Sequence, residues 1–578
     1  MTDSRNRSGR VVAVALAVAI TATNAVFGVS ALDTARATSS KVTVEAPTAR
    51  FDGLEVTVSQ TKNLVDQVVA IDWEGAAPTG GSMNFSYNYL QIMQCWGGAD
   101  GPEREQCQFG GITGTEIRGG QNAYKRQINQ PAVDPAESIK PTGPHQTVCV
   151  PFRPVAGEVF DKCGTSKYFD QSTTNEVPFA LTRPDGTGQI YFNVQTERAA
   201  PGLGCGEPLT VDGVTKGRSC WLVIVPRDDR EVDGSQATIS NRLASSPLSA
   251  SNWEHRLEIP LEFEPGGKPC PIGGAERKTV GQENVAEAVL RWQRALCKDG
   301  GAVYGYSQVS DTTARRVING TNPGIVFVSE PAKPTDPKKS VIHAPVAVSG
   351  LTFAYNVDSR APGNASAELK KNDGRRIREL RLTPRLVAKL LTQTYSRAVH
   401  PSADSVKANP TDLTKDEEFL ALNPHFEGLV VSIPELLVPI GQADVLEMLW
   451  RWLLADAEAA AFLRGDADQW GTKINPNYLG MSLPRTDIPK SDPFCLTYPN
   501  DSLGRTPQCT LDLSPYAADF RQAASSAARG DTLELGEWAQ ADPGTAANGQ
   551  WKKGPNQADG ARAMIALVDT ASAHRYGL

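Results

Sequence analysis

Between about Lys41 and Pro265 apolar and polar residues alternate over short stretches, as in Leu54-Glu55-Val56-Thr57-Val58 and Val68-Val69-Ala70-Ile71-Asp72-Trp73, with Gly, Pro, Asn and Asp between the runs. A period of two sends every second side chain to the same face of a sheet, so these runs predict half-buried strands. Tyr191 to Val194 and Cys220 to Pro226 extend the series, and no useful length of helical period interrupts it. The amino-terminal half is expected to be an all-β sandwich region of one or two units.

Near Pro271 the period changes to helices alternating with short apolar strands, the texture of an α/β fold. Glu283 to Leu296 places Val285, Val289, Trp292 and Leu296 on one helical face, before Gly300-Gly301. A strand at Val303 to Ser307, a helix opened by Ser310 and closed by Gly320, and a strand at Ile325 to Val328 make one βαβ unit. Val341 to Val348 and Leu351 to Val357 read as two further strands meeting at Gly350. Thr383 and Pro384 open a helix with Leu386, Leu390 and Leu391 on one stripe. Ala443 to Leu463 predicts a longer helix burying Val445, Leu446, Leu449 and Leu453, with Trp450 and Trp452 as packing residues. A last helix is expected from about Ala558 to His574.

Composition limits the class. With 40% apolar and 21% charged residues the chain can bury real cores. At roughly 100 to 200 residues per domain, its 578 residues exceed a single core. A net charge of −7 without a basic block disfavours nucleic acid as a partner. Arg5, Arg7 and Arg10 ahead of the apolar run Val11 to Ile20, with small residues after Phe27, read as an export signal spanning residues 1–37. Residues 38–268 then form the β-sandwich region and 269–578 the α/β region, with no membrane span in the mature chain.

Ten cysteines follow the signal: Cys95, Cys107, Cys149, Cys163, Cys205, Cys220, Cys270, Cys297, Cys495 and Cys509. An even count in an exported chain favours disulfides, and the short gaps suggest sequential pairing. None of the gaps suits a zinc site, and the six scattered histidines form no close pair. The chain has no GxSxG elbow, P-loop or GxGxxG after a strand, so neither an enzyme nor a bound cofactor is expected. Asp416, Glu417 and Glu418, or Asp466 and Asp468, could supply a glycosidase pair, but solvated acidic turns are the expectation.

Binding remains, and an α/β sheet binds ligands beyond the carboxyl ends of its strands, where helix N-termini offer N–H donors. Three such turns are Ser307 to Asp311, Ser329-Glu330-Pro331 and Gly441-Gln442.

Three runs taken in order carry a resemblance: Tyr306-Ser307-Gln308-Val309-Ser310-Asp311, Gly324-Ile325-Val326-Phe327-Val328-Ser329-Glu330-Pro331, and Pro345-Val346-Ala347-Val348-Ser349-Gly350-Leu351-Thr352-Phe353-Ala354-Tyr355-Asn356. With Leu382-Thr383-Pro384 and Leu422-Asn423-Pro424 after them, they resemble the phosphate-binding periplasmic proteins of ABC importers over roughly residues 275 to 480. The resemblance implies a two-lobed, type II solute-binding fold that closes about a hinge, with Ser310, Ser329 and Glu330 at the ligand. Where the family places Arg and then Ser-Gly-Thr, this chain has Ser432-Ile433-Pro434 and Ile440-Gly441-Gln442-Ala443. Loss of that arginine removes a cation and a bidentate donor, while Glu330 adds a like charge and Glu283 sits at another helix start. The expected ligand of Ser310, Ser329, Glu330, Gly441 and Gln442 is therefore a neutral polar solute or weak anion.

The run Asn88-Tyr89-Leu90-Gln91-Ile92-Met93-Gln94-Cys95-Trp96 also resembles secreted actinobacterial proteins that join a Cys-rich β-region to such a domain. Two functions follow as expectations. One is a secreted solute-binding protein serving an ABC permease. The other is a cell-envelope interaction or structural protein on a degenerate solute-binding scaffold.

Overall fold

The structure is a computed structural model that describes residues 40–80, 85–112, 123–129, 132–143, 146–160, 163, 167–171, 173–266, 276–297, 301–320, 324–499, 501–540, 549–554 and 556–578. The expected export signal, Cys270 and the expected boundary at 268/269 lie outside the described residues.

The alternating first half folds into two antiparallel four-stranded sheets. Its strands are β1 (Val42–Glu45), β2 (Glu55–Val58), β3 (Gln67–Glu74), β4 (Tyr89–Trp96), β5 (Val177–Leu181), β6 (Gly188–Val194), β7 (Pro208–Val211), β8 (Val214–Gly217), β9 (Cys220–Arg227) and β10 (Leu257–Leu261). One sheet has the order β1-β2-β3-β6 and the other β10-β9-β4-β5, while β7 and β8 form a separate hairpin. Val56, Ile71, Trp73 and Phe192 from the first sheet meet Leu90, Ile92, Leu222 and Ile259 from the second in one core. β6 alternates buried and half-buried positions, as a sheet with one wet face should. β4 is buried on both faces, because Met93 and Cys95 pack under Phe109, Val150 and Trp253, where the short helix α1 (Ala250–Trp253) lies. That explains its nearly continuous apolar reading.

Beyond residue 275 the structure is mixed α/β with several small sheets. β11 (Glu276–Gly281) lies between β12 (Val303–Gln308) and β13 (Ile325–Phe327), parallel to both, with α2 (Ala286–Leu296) and α3 (Asp311–Ile318) as crossovers. Pattern reading missed β11, since its first three residues are exposed and charged or polar. Val341 to Val348, expected as a strand, pairs with nothing in any described sheet; Ile342 and Val348 are exposed. Leu351 to Val357 does form a strand, β14.

Four helices follow, α4 (Ala367–Lys371), α5 (Pro384–Leu391), α6 (Glu417–Leu422) and α7 (Asp444–Ala455). The helix expected from Ala443 to Leu463 is broken: Asp456 takes an extended conformation and caps α8 (Ala457–Arg464) by accepting from Ala459 N–H. Trp450 is fully buried, whereas Trp452 is about half exposed. Two small hairpins, β15 (Cys495–Leu496) with β16 (Gln508–Cys509) and β17 (Glu537–Ala539) with β18 (Gln550–Lys552), flank α9 (Thr510–Leu513) and α10 (Phe520–Arg529). The expected terminal helix is instead β19 (Ala563–Asp569) followed by the short α11 (Thr570–Arg575). Met564 to Val568 is buried throughout, so this apolar run carried no period to separate strand from helix. β19 pairs antiparallel with β14 over its whole length.

The sandwich is joined to the later half by charge as well as packing. Asp66 pairs with Arg521 and Arg575, and the Arg376 guanidinium lies 4.7 Å over the Tyr191 ring. Disulfides join Cys95 to Cys107, Cys149 to Cys163, Cys205 to Cys220 and Cys495 to Cys509, the sequential pairing expected. Cys297 is also disulfide-bonded. These bridges fit an oxidising, extracytoplasmic compartment. Among the described residues no helix is long and apolar enough to cross a membrane.

Candidate functional site

The βαβ unit brings the first two turns together through one side chain that sequence reading passed over. Ser310 caps α3 by accepting from Thr313 N–H at 3.3 Å. The next residue, Asp311, is buried, and its carboxylate turns away from its own helix. One oxygen accepts from Ser329 N–H at 3.0 Å and the other from Asp444 N–H at 2.9 Å. Asp444 opens α7, whose N-cap residue Ala443 has no side chain able to accept. Asp311 therefore caps α7 from a distance of 133 residues in the chain. Arg315, one turn along α3, forms a two-pronged ion pair with the Asp444 carboxylate. Burial raises the Asp311 carboxyl above its ordinary value, against the pull of the two N–H donors and Arg315.

The five expected binding residues divide between two places. Ser310, Gly441 and Gln442 line a cleft of about 230 Å³ together with Gln282, Glu283 and Gln308. Gly441 has φ +106°, a conformation that favours glycine, and it turns the chain into α7. Ser329 and Glu330 do not line this cleft. Glu330 reaches Arg451 on α7 at 3.2 Å, so its charge is answered within the protein.

The cleft is amide-rich and carries no cation on its lining. Glu283 accepts from Phe520 N–H at 2.9 Å and faces Gln308 Nε2 at 3.4 Å. Burial, reinforced by the nearby carboxylates of Asp519 and Asp569, pushes the Glu283 carboxyl up to about 8. It keeps its proton at neutral pH and offers a donor as well as an acceptor. Three glutamines, one serine and a neutral acid suit an uncharged polar ligand better than a phosphate dianion.

The acidic runs expected on the surface are partly interior. Asp416, Glu418 and Asp468 are buried with oxygens within 4.8 Å of one another, a spacing that could hold a cation, while Glu417 and Asp466 are exposed. The cation present is Lys389 Nζ, at 2.7, 3.1 and 2.6 Å from the three carboxylates. Burial works against its charge, but the three acids hold its pKa above the ordinary lysine value. Arg385 adds a second cation at Glu418, and Tyr395 donates to Asp416. The cluster is a buried ionic network and not a solvated turn. Sequence signalled it weakly, as one lysine inside the apolar stripe of α5.

No family model, curated protein or solved structure matches this chain.

Proposed function

We propose that the chain is an exported, non-enzymatic solute-binding protein with a scaffold like that of phosphate-binding ABC importer components, and that its cleft takes a small neutral polar solute. The carrying observation is Asp311. Its carboxylate already accepts the N–H groups of Ser329 and Asp444, the donors that a phosphate would need. Asp311 thus withholds both N–H groups from the cleft, and among the described residues the cleft lining has no cation to offset an anion. The remaining groups of Ser310, Gln442, Gln308 and Glu283 can donate and accept without demanding charge. β14 and β19 pair antiparallel at the two ends of the segment between residues 358 and 562, and in this reading they would carry the crossings of a closing hinge. An ABC permease would be the partner in this reading.

Thermal melting of the oxidised protein at fixed ionic strength tests it. Neutral amino acids and small amides form one arm, phosphate and sulfate the other. A saturable rise in melting temperature in the first arm, lost in Gln442→Ala and Glu283→Ala, is expected by mass action. A saturable rise with phosphate refutes the exclusion of anions.

The second reading is an envelope scaffold that has kept the shape and lost transport. Internal satisfaction of the α7 N-terminus and of the Ser329 turn by Asp311 favours it, as do the ion pairs of Asp66 that tie the sandwich to α10 and α11. Silence in both arms selects it.

A further inference from the structure

A second cavity, of about 400 Å³, lies where the sandwich meets the later half, outside the cleft and sharing none of its residues. Its volume is within the roughly 300 to 1,000 Å³ of small-molecule sites. Glu176, Phe179 and Asn193 come from the sandwich side, and Asp358, Asn556 and Arg562 from the other. Three buried polar atoms on its wall have no hydrogen-bond partner among the described residues: Asn193 Oδ1, Asn556 Oδ1 and Arg562 Nε. Buried polar groups in folded proteins are nearly always paired, so three such atoms around one cavity point to a missing partner.

The wall is held in place by groups whose own bonds are satisfied. Asn175 donates to Gln94 at 2.8 Å and to the Asn193 carbonyl at 2.7 Å, and accepts from Gln108 at 3.0 Å. Glu176 accepts from Gly111 N–H, Ile112 N–H and the Thr174 hydroxyl. Arg562 donates through Nη1 to the Ala528 carbonyl at 3.0 Å and through its backbone N–H to Asp358 at 3.0 Å. Such fixed groups need little rearrangement to bind.

Charge and chemistry then select the ligand. The lining holds three acids, Glu176, Asp358 and Asp559, and three arginines, Arg360, Arg529 and Arg562, so its formal charge is balanced. Unpaired acceptors and an unpaired donor on facing walls match hydroxyl groups, each of which donates and accepts, and Phe179 and Val177 give an apolar side for C–H faces. We propose that this cavity is a binding site for a neutral saccharide, independent of what the cleft binds.

The test follows melting of the oxidised full chain against glucose, galactose and maltose. Sugars stabilise all proteins by exclusion, with a rise that grows steadily and does not saturate, whereas site binding saturates. A saturable shift with at least one of the three is expected. Asn193→Leu and Asn556→Leu each remove an unpaired amide oxygen at similar volume. Without sugar they should melt no lower than the parent, and with sugar they should bind about tenfold more weakly, the ratio of one ligand hydrogen bond. Gln442→Ala should bind sugar as the parent does. The proposal is overturned if none of the three sugars gives a saturable shift, if both leucine variants keep it, or if both melt well below the parent without sugar, which would give the amides a structural role instead.

Discussion

At Asp311 a single carboxylate does work that a ligand does in open clefts: it collects N–H donors from one helix and one turn. Asp311→Ala removes it without touching Arg315 and leaves the Ser329 and Asp444 N–H groups unpaired. The variant should lose about 1–3 kcal/mol, the usual cost of orphaned buried donors. It should also gain saturable stabilisation by phosphate or sulfate that the parent lacks, read as a melting shift at fixed ionic strength. A variant indifferent to both anions would mean that these N–H groups never formed an anion site. Nothing near Asp311 in the sequence signals this role. It follows Ser310, whose capping pattern was legible, but its own partner lies 133 residues away, and local patterns carry no information at that range.

Helix α5 shows how much of an element its sequence reveals. Thr383 at the N-cap, Pro384 after it and the stripe Leu386, Leu390, Leu391 were all readable, and all hold. The strands of the sandwich were readable for the same reason, a period matched to one buried face. Where a segment is buried on every side, as at Met564 to Val568, or exposed and polar, as in β11, the period vanishes and the reading failed. α5 is buried continuously from Leu386 to Leu391, so Lys389 is carried inside with its neighbours. Its ammonium is then the shared counter-charge that lets α6 and the Asp468 turn bring three carboxylates together. Lys389→Met keeps the volume and removes the charge. The expected loss is about 3–5 kcal/mol at neutral pH, as for other broken buried ion pairs. The loss should shrink on acidification, because protonated acids no longer repel, and denaturant titrations at two pH values measure both effects.

Across the whole molecule, burial raises acids in separate places: Glu176 and Asp358 are pushed up to about 7 and Glu283 to about 8. An unfolded chain releases these protons near pH 4, whereas the folded chain keeps them to pH 7 or 8. The folded state therefore binds more protons between those limits. The stability these groups contribute is full below the unfolded value and is lost as pH rises through the folded one. Each should tilt stability downward by about 1.4 kcal/mol per pH unit within its window. Burial moves His255 and His400 the opposite way, so they stabilise the fold as pH rises through their range and bend the raw curve. A difference between variants isolates one group. Glu176 is the clearest choice, being 6% exposed, with Arg126 as a charged neighbour whose own guanidinium is fully occupied by backbone carbonyls. Glu176→Gln keeps an acceptor for one of the Gly111 and Ile112 N–H groups and cannot titrate. Subtracting its stability curve from that of the parent should leave a line that falls from pH 5 to about 7 and then flattens. A flat difference would mean that Glu176 is charged throughout this range, held ionised by the Gly111 and Ile112 N–H groups and the Thr174 hydroxyl against the cost of burial.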